Sequence, residues 1–337
     1  MPINHSANFE TIPLFDLQEF ALGNPLDRQQ FINQLRNVCH HIGFFYIKNH
    51  GVHIELMHKM LELTEAFFNL PQAEKDKINI SFSPHYRGYG KLGEELTKGI
   101  RDYKETYDFG LEQAARQTSD EQPYLILQGP NQWPESETLR ALRWKETVLE
   151  YIAAVQTAGT QIMSAMALTL GLPDNYFTDK FCPQQRDAYA ILRLLRYPPG
   201  RMNPHSVEPE LGVGPHTDTG CLVMLLQDTV GGLEVQNCRG EWIAAPPIDG
   251  TYVVNIGEML QLWSNNYFLA TPHRVINTSS RIRHSVPFFV EPLLSTVVTP
   301  LEISPELLQN MERPNANPAT KVVYGDHMLH VYQRSFQ

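Results

Sequence analysis

Gly212-Val213-Gly214-Pro215-His216-Thr217-Asp218-Thr219-Gly220 runs directly into Cys221-Leu222-Val223-Met224-Leu225-Leu226-Gln227. Gly212 to Pro215 is turn chemistry, and Cys221 to Gln227 is the apolar run of a buried strand. Between them stands a His-x-Asp triplet. Alternate residues of a strand share a face, so His216 and Asp218 are expected to reach one ion together, with Thr217 turned away. The triplet alone is a weak signal. A chain of 337 residues with 13 histidines produces one by chance, and its plain reading is a surface histidine satisfied by an aspartate.

The context changes that reading. Thr271-Pro272-His273-Arg274-Val275 supplies a second imidazole, 57 residues further on (273 − 216), which must arrive from another strand. Two imidazoles and one carboxylate on a single face of a divalent ion leave the opposite positions open, an arrangement suited to iron(II) that binds exogenous ligands. Ten residues past His273 comes Arg283-His284-Ser285. Arg283 and Ser285 share a strand face. Arginine offers a carboxylate a planar fork and serine adds a hydroxyl donor. His284 and Arg274 then face away from the site. His327 and His330 are spaced for one helix face but have no third ligand nearby in sequence, so no second metal site is expected there.

Outward from this region the patterning predicts short strands over 188–196, 221–227, 233–236, 251–256, 260–263, 274–276 and 285–290. The turns between them include Gly231-Gly232, Arg239-Gly240, Asp249-Gly250 and Asn265-Asn266. Strands at this spacing suggest an antiparallel sandwich or jelly roll. Helical spacing predicts helices over 26–41 and 54–69, with a strand at 44–48 between them. The longest helical pattern spans 139–170 and ends at Gly171-Leu172-Pro173. Residues 81–135 read as loops with short strands, including 106–111, and a last helix is expected over 326–334.

On the residues His216-x-Asp218, His273 and Arg283-x-Ser285, the chain resembles the isopenicillin N synthase-like branch of the iron(II)/2-oxoglutarate-dependent dioxygenases. Ile12-Pro13-Leu14-Phe15-Asp16, Gly43 to Gly51, Arg87-Gly88-Tyr89 and Arg196-Tyr197-Pro198-Pro199 are similar to further segments of that family, so the likeness covers roughly residues 10 to 292. The resemblance implies a mainly β fold with flanking α: a double-stranded β-helix (jelly roll) core, an N-terminal α/β region and a long supporting helix. The expected division is 1–135 for the N-terminal region, 136–299 for the supporting helix and catalytic core, and 300–337 for a tail that ends as a helix.

What the resemblance implies chemically is an oxidoreductase. His216, Asp218 and His273 hold Fe(II), and 2-oxoglutarate is the cosubstrate with its distal carboxylate on Arg283 and Ser285. Dioxygen is consumed, a small molecule is hydroxylated, desaturated or ring-closed, and succinate and CO2 leave. Tyr197 is expected to donate near the cosubstrate, its plain reading being a half-buried strand tyrosine. Leu195 stands where plant members often carry asparagine. Arg87 is a candidate for a substrate carboxylate, its plain reading a loop arginine in a surface ion pair. Two alternatives stay open. In isopenicillin N synthase itself the same Arg and Ser hold a substrate carboxylate and no 2-oxoglutarate is used. A non-catalytic jelly-roll binding protein would have no need of the clamp beside the metal.

Composition fits a globular chain, with 42% hydrophobic and 19% charged residues. A net charge of −10 gives no basic footprint for nucleic acid. No apolar run of about 18 residues is present, and Met1 to Glu10 lacks a signal core, so no membrane association is expected. Cys39, Cys182, Cys221 and Cys238 have no CxxC spacing and are read as thiols in a reducing, cytoplasmic setting. No obligate protein partner is evident.

Overall fold

Period-two alternation and the glycine turns between apolar runs give the C-terminal half its strands, and the pairing of those strands sets the site. The computed structural model describes residues 8–97, 99–181, 184–201, 210–309, 311 and 313–335. The strands used below are β1 (Leu14–Asp16), β2 (Phe44–Lys48), β3 (Gly88–Gly90), β4 (Leu96–Thr97), β5 (Ile100–Arg101), β6 (Glu105–Gly110) and β7 (Ala190–Tyr197). They continue with β8 (Val213–His216), β9 (Leu222–Gln227), β10 (Leu233–Gln236), β11 (Trp242–Ala244), β12 (Tyr252–Ile256), β13 (His273–Val275) and β14 (Arg283–Val290).

Eight strands form one sheet in the order β1-β2-β12-β9-β14-β7-β6-β3, and four form a second in the order β11-β10-β13-β8. All these pairings are antiparallel except β1 with β2. One cavity is lined by side chains from β7, β9 and β14 of the large sheet and from β8, β10 and β13 of the small one, so it lies between the two layers. This is the jelly-roll core that the strand spacing predicts.

The helices are α1 (Leu17–Ala21), α2 (Pro25–His41), α3 (Ile54–Phe68), α4 (Gln72–Asp76), α5 (Glu137–Ala141) and α6 (Trp144–Thr169), followed by α7 (Glu258–Trp263), α8 (Pro305–Leu308) and α9 (Tyr324–Ser335). Three of them, α2, α3 and α6, pack on strands of the large sheet. Asn24 caps α2 by accepting from the Leu26 and Asp27 N–H groups, and Pro25 takes the first position, where its missing N–H is no loss. α6 packs on β9 and β14. Gly159 permits the approach, because a Cβ there would sit 2.5 Å from Val290 Cγ2.

Three expectations are corrected. Residues 260–263, read as a strand, lie in α7; Gly257 caps it and Met259, Leu260 and Trp263 bury one helical face. A four-residue apolar run does not by itself distinguish the two periods. The pattern over 139–170 is broken in two, because Arg143 adopts a left-handed φ of 54° between α5 and α6. Neither glycine nor proline marks that break. Finally, β8 ends at His216, so Asp218 sits in the loop beyond it and not on the strand.

Candidate metal centre and carboxylate clamp

β8 and β13 pair with His216 directly opposite His273, which sets the two rings side by side at a centroid separation of 4.2 Å. Asp218 reaches the same point from the loop after β8. Its carboxylate oxygens lie 3.7 Å from His216 Nε2 and 3.6 Å from His273 Nε2. Donors about 2.1 Å from a common ion stand no more than about 4.2 Å apart, so both spacings suit a shared metal. Among the described residues this is the one such cluster of histidine and carboxylate groups.

The protonation states also suit a metal. His216 Nδ1 faces the Gly214 carbonyl at 2.8 Å and His273 Nδ1 faces the Thr271 carbonyl at 3.2 Å. With Nδ1–H donating to the backbone, each Nε2 keeps its lone pair for the ion. Burial, reinforced by His273, pushes His216 down to about 4, so it is neutral near pH 7. Burial opposes ionisation of Asp218, but the flanking imidazoles and the Asn255 amide outweigh it and hold the carboxyl below its ordinary value. Neutral imidazoles and an ionised carboxylate are the forms that bind a divalent cation.

The loop carrying Asp218 is fixed by backbone bonds. The Asp218 carbonyl accepts from the Glu258 N–H at 2.7 Å, Gly220 O accepts from Met259, and Cys221 O accepts from Gly257. Asn255 Nδ2 donates to Asp218 Oδ2 at 2.6 Å, and Glu291 accepts from the Cys221 N–H at 2.8 Å. The sequence reading missed Asn255 and Glu291. Neither belongs to a recognisable triplet, and only the β12 and β14 registers bring them to the loop. Thr217, expected to turn away, lines the cavity and bonds the Glu258 carboxylate.

The inward face of β14 carries Arg283, Ser285, Pro287 and Phe289, and Glu291 follows one residue past the strand's end, all bordering the cavity at period two. Ser285 stands opposite Leu195 on β7 and Gln227 on β9. Arg283 is fully buried, at 0% exposure. It donates to Ser285 Oγ at 3.1 Å and to Gln227 Oε1 at 2.8 Å, and its Nε has no partner. None of the ion pairs among the described residues includes it. A buried guanidinium without an anion is costly, and among the described residues no carboxylate pairs with this one. Gln227, which accepts from Arg283, was also missed, since it closes the apolar β9 run without any motif.

Tyr197 lines the same end, 2% exposed, with Arg283 Cζ 4.9 Å from its ring centroid. It supports the guanidinium from below, and a side chain on Gly212 would strike its ring. Leu195 faces the cavity as an apolar wall. Arg87, the candidate for a substrate carboxylate, is absent from the cavity lining. At 1% exposure it donates to the Leu127 carbonyl at 2.8 Å, so it is not the surface ion pair of its plain reading. His284 faces out of the cavity and its N–H donates to Asp228, while Arg274 pairs with Glu234 over the Trp242 ring. Cys39, Cys221 and Cys238 are free thiols, and Cys182 lies outside the described residues.

The cavity has a volume of about 420 Å³ and continues from the clamp past the triad to α9, where Met328, Val331 and Tyr332 close it. It therefore has room for a small carboxylate at one end and a second small molecule at the other. Two family models match the chain: a non-haem dioxygenase N-terminal domain, named for morphine synthesis, over residues 12–136, and the 2OG-Fe(II) oxygenase superfamily over residues 188–292. A homoarginine-6-hydroxylase of Arabidopsis thaliana is 34% identical, with 98% of this chain and 99% of the relative aligned. A 1-aminocyclopropane-1-carboxylate oxidase of Dictyostelium mucoroides is 32% identical over 91% of this chain and 89% of the relative. Among solved structures, a full-length Neurospora crassa protein in complex with alpha-KG aligns with a TM-score of 0.79 at 25% identity, covering 97% of this chain and 98% of that one.

Proposed function

Because the chain belongs to the 2OG-Fe(II) oxygenase superfamily, we propose that His216, Asp218 and His273 hold its iron(II) and that Arg283, Ser285 and Gln227 hold the distal carboxylate of 2-oxoglutarate. The protein is an oxidoreductase that uses Fe(II), 2-oxoglutarate and dioxygen to oxidise a small molecule, releasing succinate and CO2. Bound iron(II) and 2-oxoglutarate supply the activation of dioxygen for attack on a substrate C–H bond.

The chain's own residues order the site. The backbone carbonyls of Gly214 and Thr271 fix the histidine tautomers. Asn255 fixes the Asp218 carboxylate. The apolar wall of Leu195, Leu225, Leu233 and Val275 excludes water from the clamp. In this reading residues 1–135 buttress the large sheet, 136–299 carry the reaction, and 300–337 close the cavity through α9. The free thiols suit a reducing compartment, and the proposed location is the cytoplasm.

The observation that carries the reading is the unpaired, fully buried Arg283 in the same cavity as the triad. Its test is iron binding in His216→Ala, Asp218→Ala and His273→Ala. Each is expected to lose high-affinity iron and turnover while keeping the circular dichroism of the folded chain. Normal iron affinity in Asp218→Ala overturns the ligand assignment.

A further inference from the structure

The cavity wall carries charges that neither iron nor 2-oxoglutarate uses. Arg193, on the inward face of β7, binds both oxygens of Asp108 at 2.6 Å and also Glu95 Oε1 at 3.1 Å. Lys104 Nζ lies 2.8 Å from Asp102 and 2.9 Å from Glu95. Asp108 and Asp102 are buried behind the wall, while Arg193, Glu95 and Lys104 line it. The network thus sets two cations against three carboxylates. Burial raises the Asp108 pKa, but its two-pronged pairing with Arg193 opposes that, and with all three carboxylates ionised the net charge is −1. Glu258 adds a further carboxylate at the mouth, where it is exposed. Glu291, pushed up to about 8 by burial, stays neutral near pH 7 and adds none. Once Asp218 is assigned to the metal and Arg283 to 2-oxoglutarate, the substrate end of the cavity carries −2 among the described residues.

A wall of apolar residues would hold this fold at least as well, because desolvating charges offsets most of what their pairing returns. Glu95 stands where the wall meets the cavity, at the start of the β4–β5 hairpin. Its pairings with Arg193 and Lys104 occupy three of roughly four lone-pair sites on the carboxylate, leaving one for a ligand. An added anion would make the end more negative and would compete for cations that already face two carboxylates each. An added cation neutralises it.

We propose that Glu95 selects a substrate bearing a cationic group, an ammonium or a guanidinium, with Glu258 assisting at the mouth. This rests on the assignment of the cavity to 2-oxoglutarate-dependent oxidation. Arg193 and Lys104 position Glu95 and hold it ionised; burial raises its pKa, but the two cations outweigh that and bring it down to about 2.

The experiment compares compounds that differ only in charge: L-homoarginine with L-homocitrulline, L-arginine with L-citrulline, and L-lysine with its Nε-acetyl derivative. Each is titrated anaerobically into the iron(II)- and 2-oxoglutarate-loaded enzyme, and succinate release is then measured in air. Wild type is expected to prefer the cationic member of at least one pair by about 10- to 100-fold, the range of a charge-assisted bond. Glu95→Gln is expected to bring that preference below about threefold without changing the 2-oxoglutarate affinity. Glu258→Gln, on an exposed residue, keeps the test alive should Glu95→Gln fail to fold, and is expected to reduce the preference severalfold. The proposal is overturned if no pair shows preference for its cation, if the preference survives Glu95→Gln in folded protein, or, where that variant does not fold, if Glu258→Gln leaves the preference unchanged. Failure of wild type to bind 2-oxoglutarate strikes the underlying assignment instead.

Discussion

Asn255 shows how much of the site depends on a residue that touches no ligand position itself. Its amide fixes Asp218 Oδ2, and groups of this kind typically account for 10- to 100-fold in metal affinity. Asn255→Ala is therefore expected to weaken iron binding by about that factor while far-ultraviolet circular dichroism stays unchanged; an unaltered iron titration would remove Asn255 from the metal site. His216-x-Asp218 and Arg283-x-Ser285 stand out in the sequence because each pair depends on local spacing, whereas His273 meets them only through the pairing of β13 with β8. Gln227, Asn255 and Glu291 do not stand out, because their roles exist only in the cross-strand register. Arg87 shows the converse: a loop arginine carries no sign in sequence of which way it turns, and this one is buried outside the cavity lining.

His50 gives a residue-level prediction for stability. The Val52 N–H donates to its Nδ1, and its Nε2 faces the Gly250 carbonyl, so the neutral ring is the one that fits. Burial lowers its pKa from 6.5 to about 4. Between those values the unfolded chain takes up a proton that the native state refuses. The His50 contribution is thus fully present above about pH 6.5 and is lost as pH falls towards 4. The loss amounts to at most about 3 kcal/mol. Urea unfolding at about pH 7 and about pH 5 should show a fall in stability that is smaller in His50→Gln. An equal fall in both proteins would contradict the assignment.

At the scale of elements, apolar periodicity located the longer strands and the long helices, since burial of one face imposes the period directly, but it missed most of the short strands, among them β8, whose Gly212 to Pro215 stretch reads as a turn. It failed at α7 and at Arg143. In α7 four residues are too few to show a period, and at Arg143 a left-handed backbone breaks a helix whose sequence would continue it. The seat of α6 on β9 and β14 depends on Gly159. Gly159→Ala adds a methyl 2.5 Å from Val290 Cγ2 and 3.4 Å from Met224 Sδ, in an already filled layer. Overpacking of this kind costs about 1–3 kcal/mol, against which the higher helix propensity of alanine returns about 1 kcal/mol. A net loss of stability in thermal unfolding is expected, and a stabilised variant would show that the helix stands further from the sheet.

At the scale of the whole molecule, two sheets place the imidazoles of β8 and β13 opposite the guanidinium of β14, and α9 closes the space between. The fold class followed from strand spacing and resemblance. The small sheet's edges and the closure by α9 depend on packing between segments far apart in sequence and were not legible. The central claim is that the triad and Arg283 act on one pair of ligands, iron(II) and 2-oxoglutarate. It is tested most directly by titrating 2-oxoglutarate anaerobically into the iron(II)-loaded wild type, Arg283→Gln and Arg283→Lys, following the visible band of the chelated complex. The account predicts saturable binding in wild type, weakened about 10- to 100-fold in Arg283→Gln. Iron affinity should be unchanged, and Arg283→Lys should restore only part, because lysine lacks the planar fork. Equal 2-oxoglutarate affinity in all three proteins would contradict it.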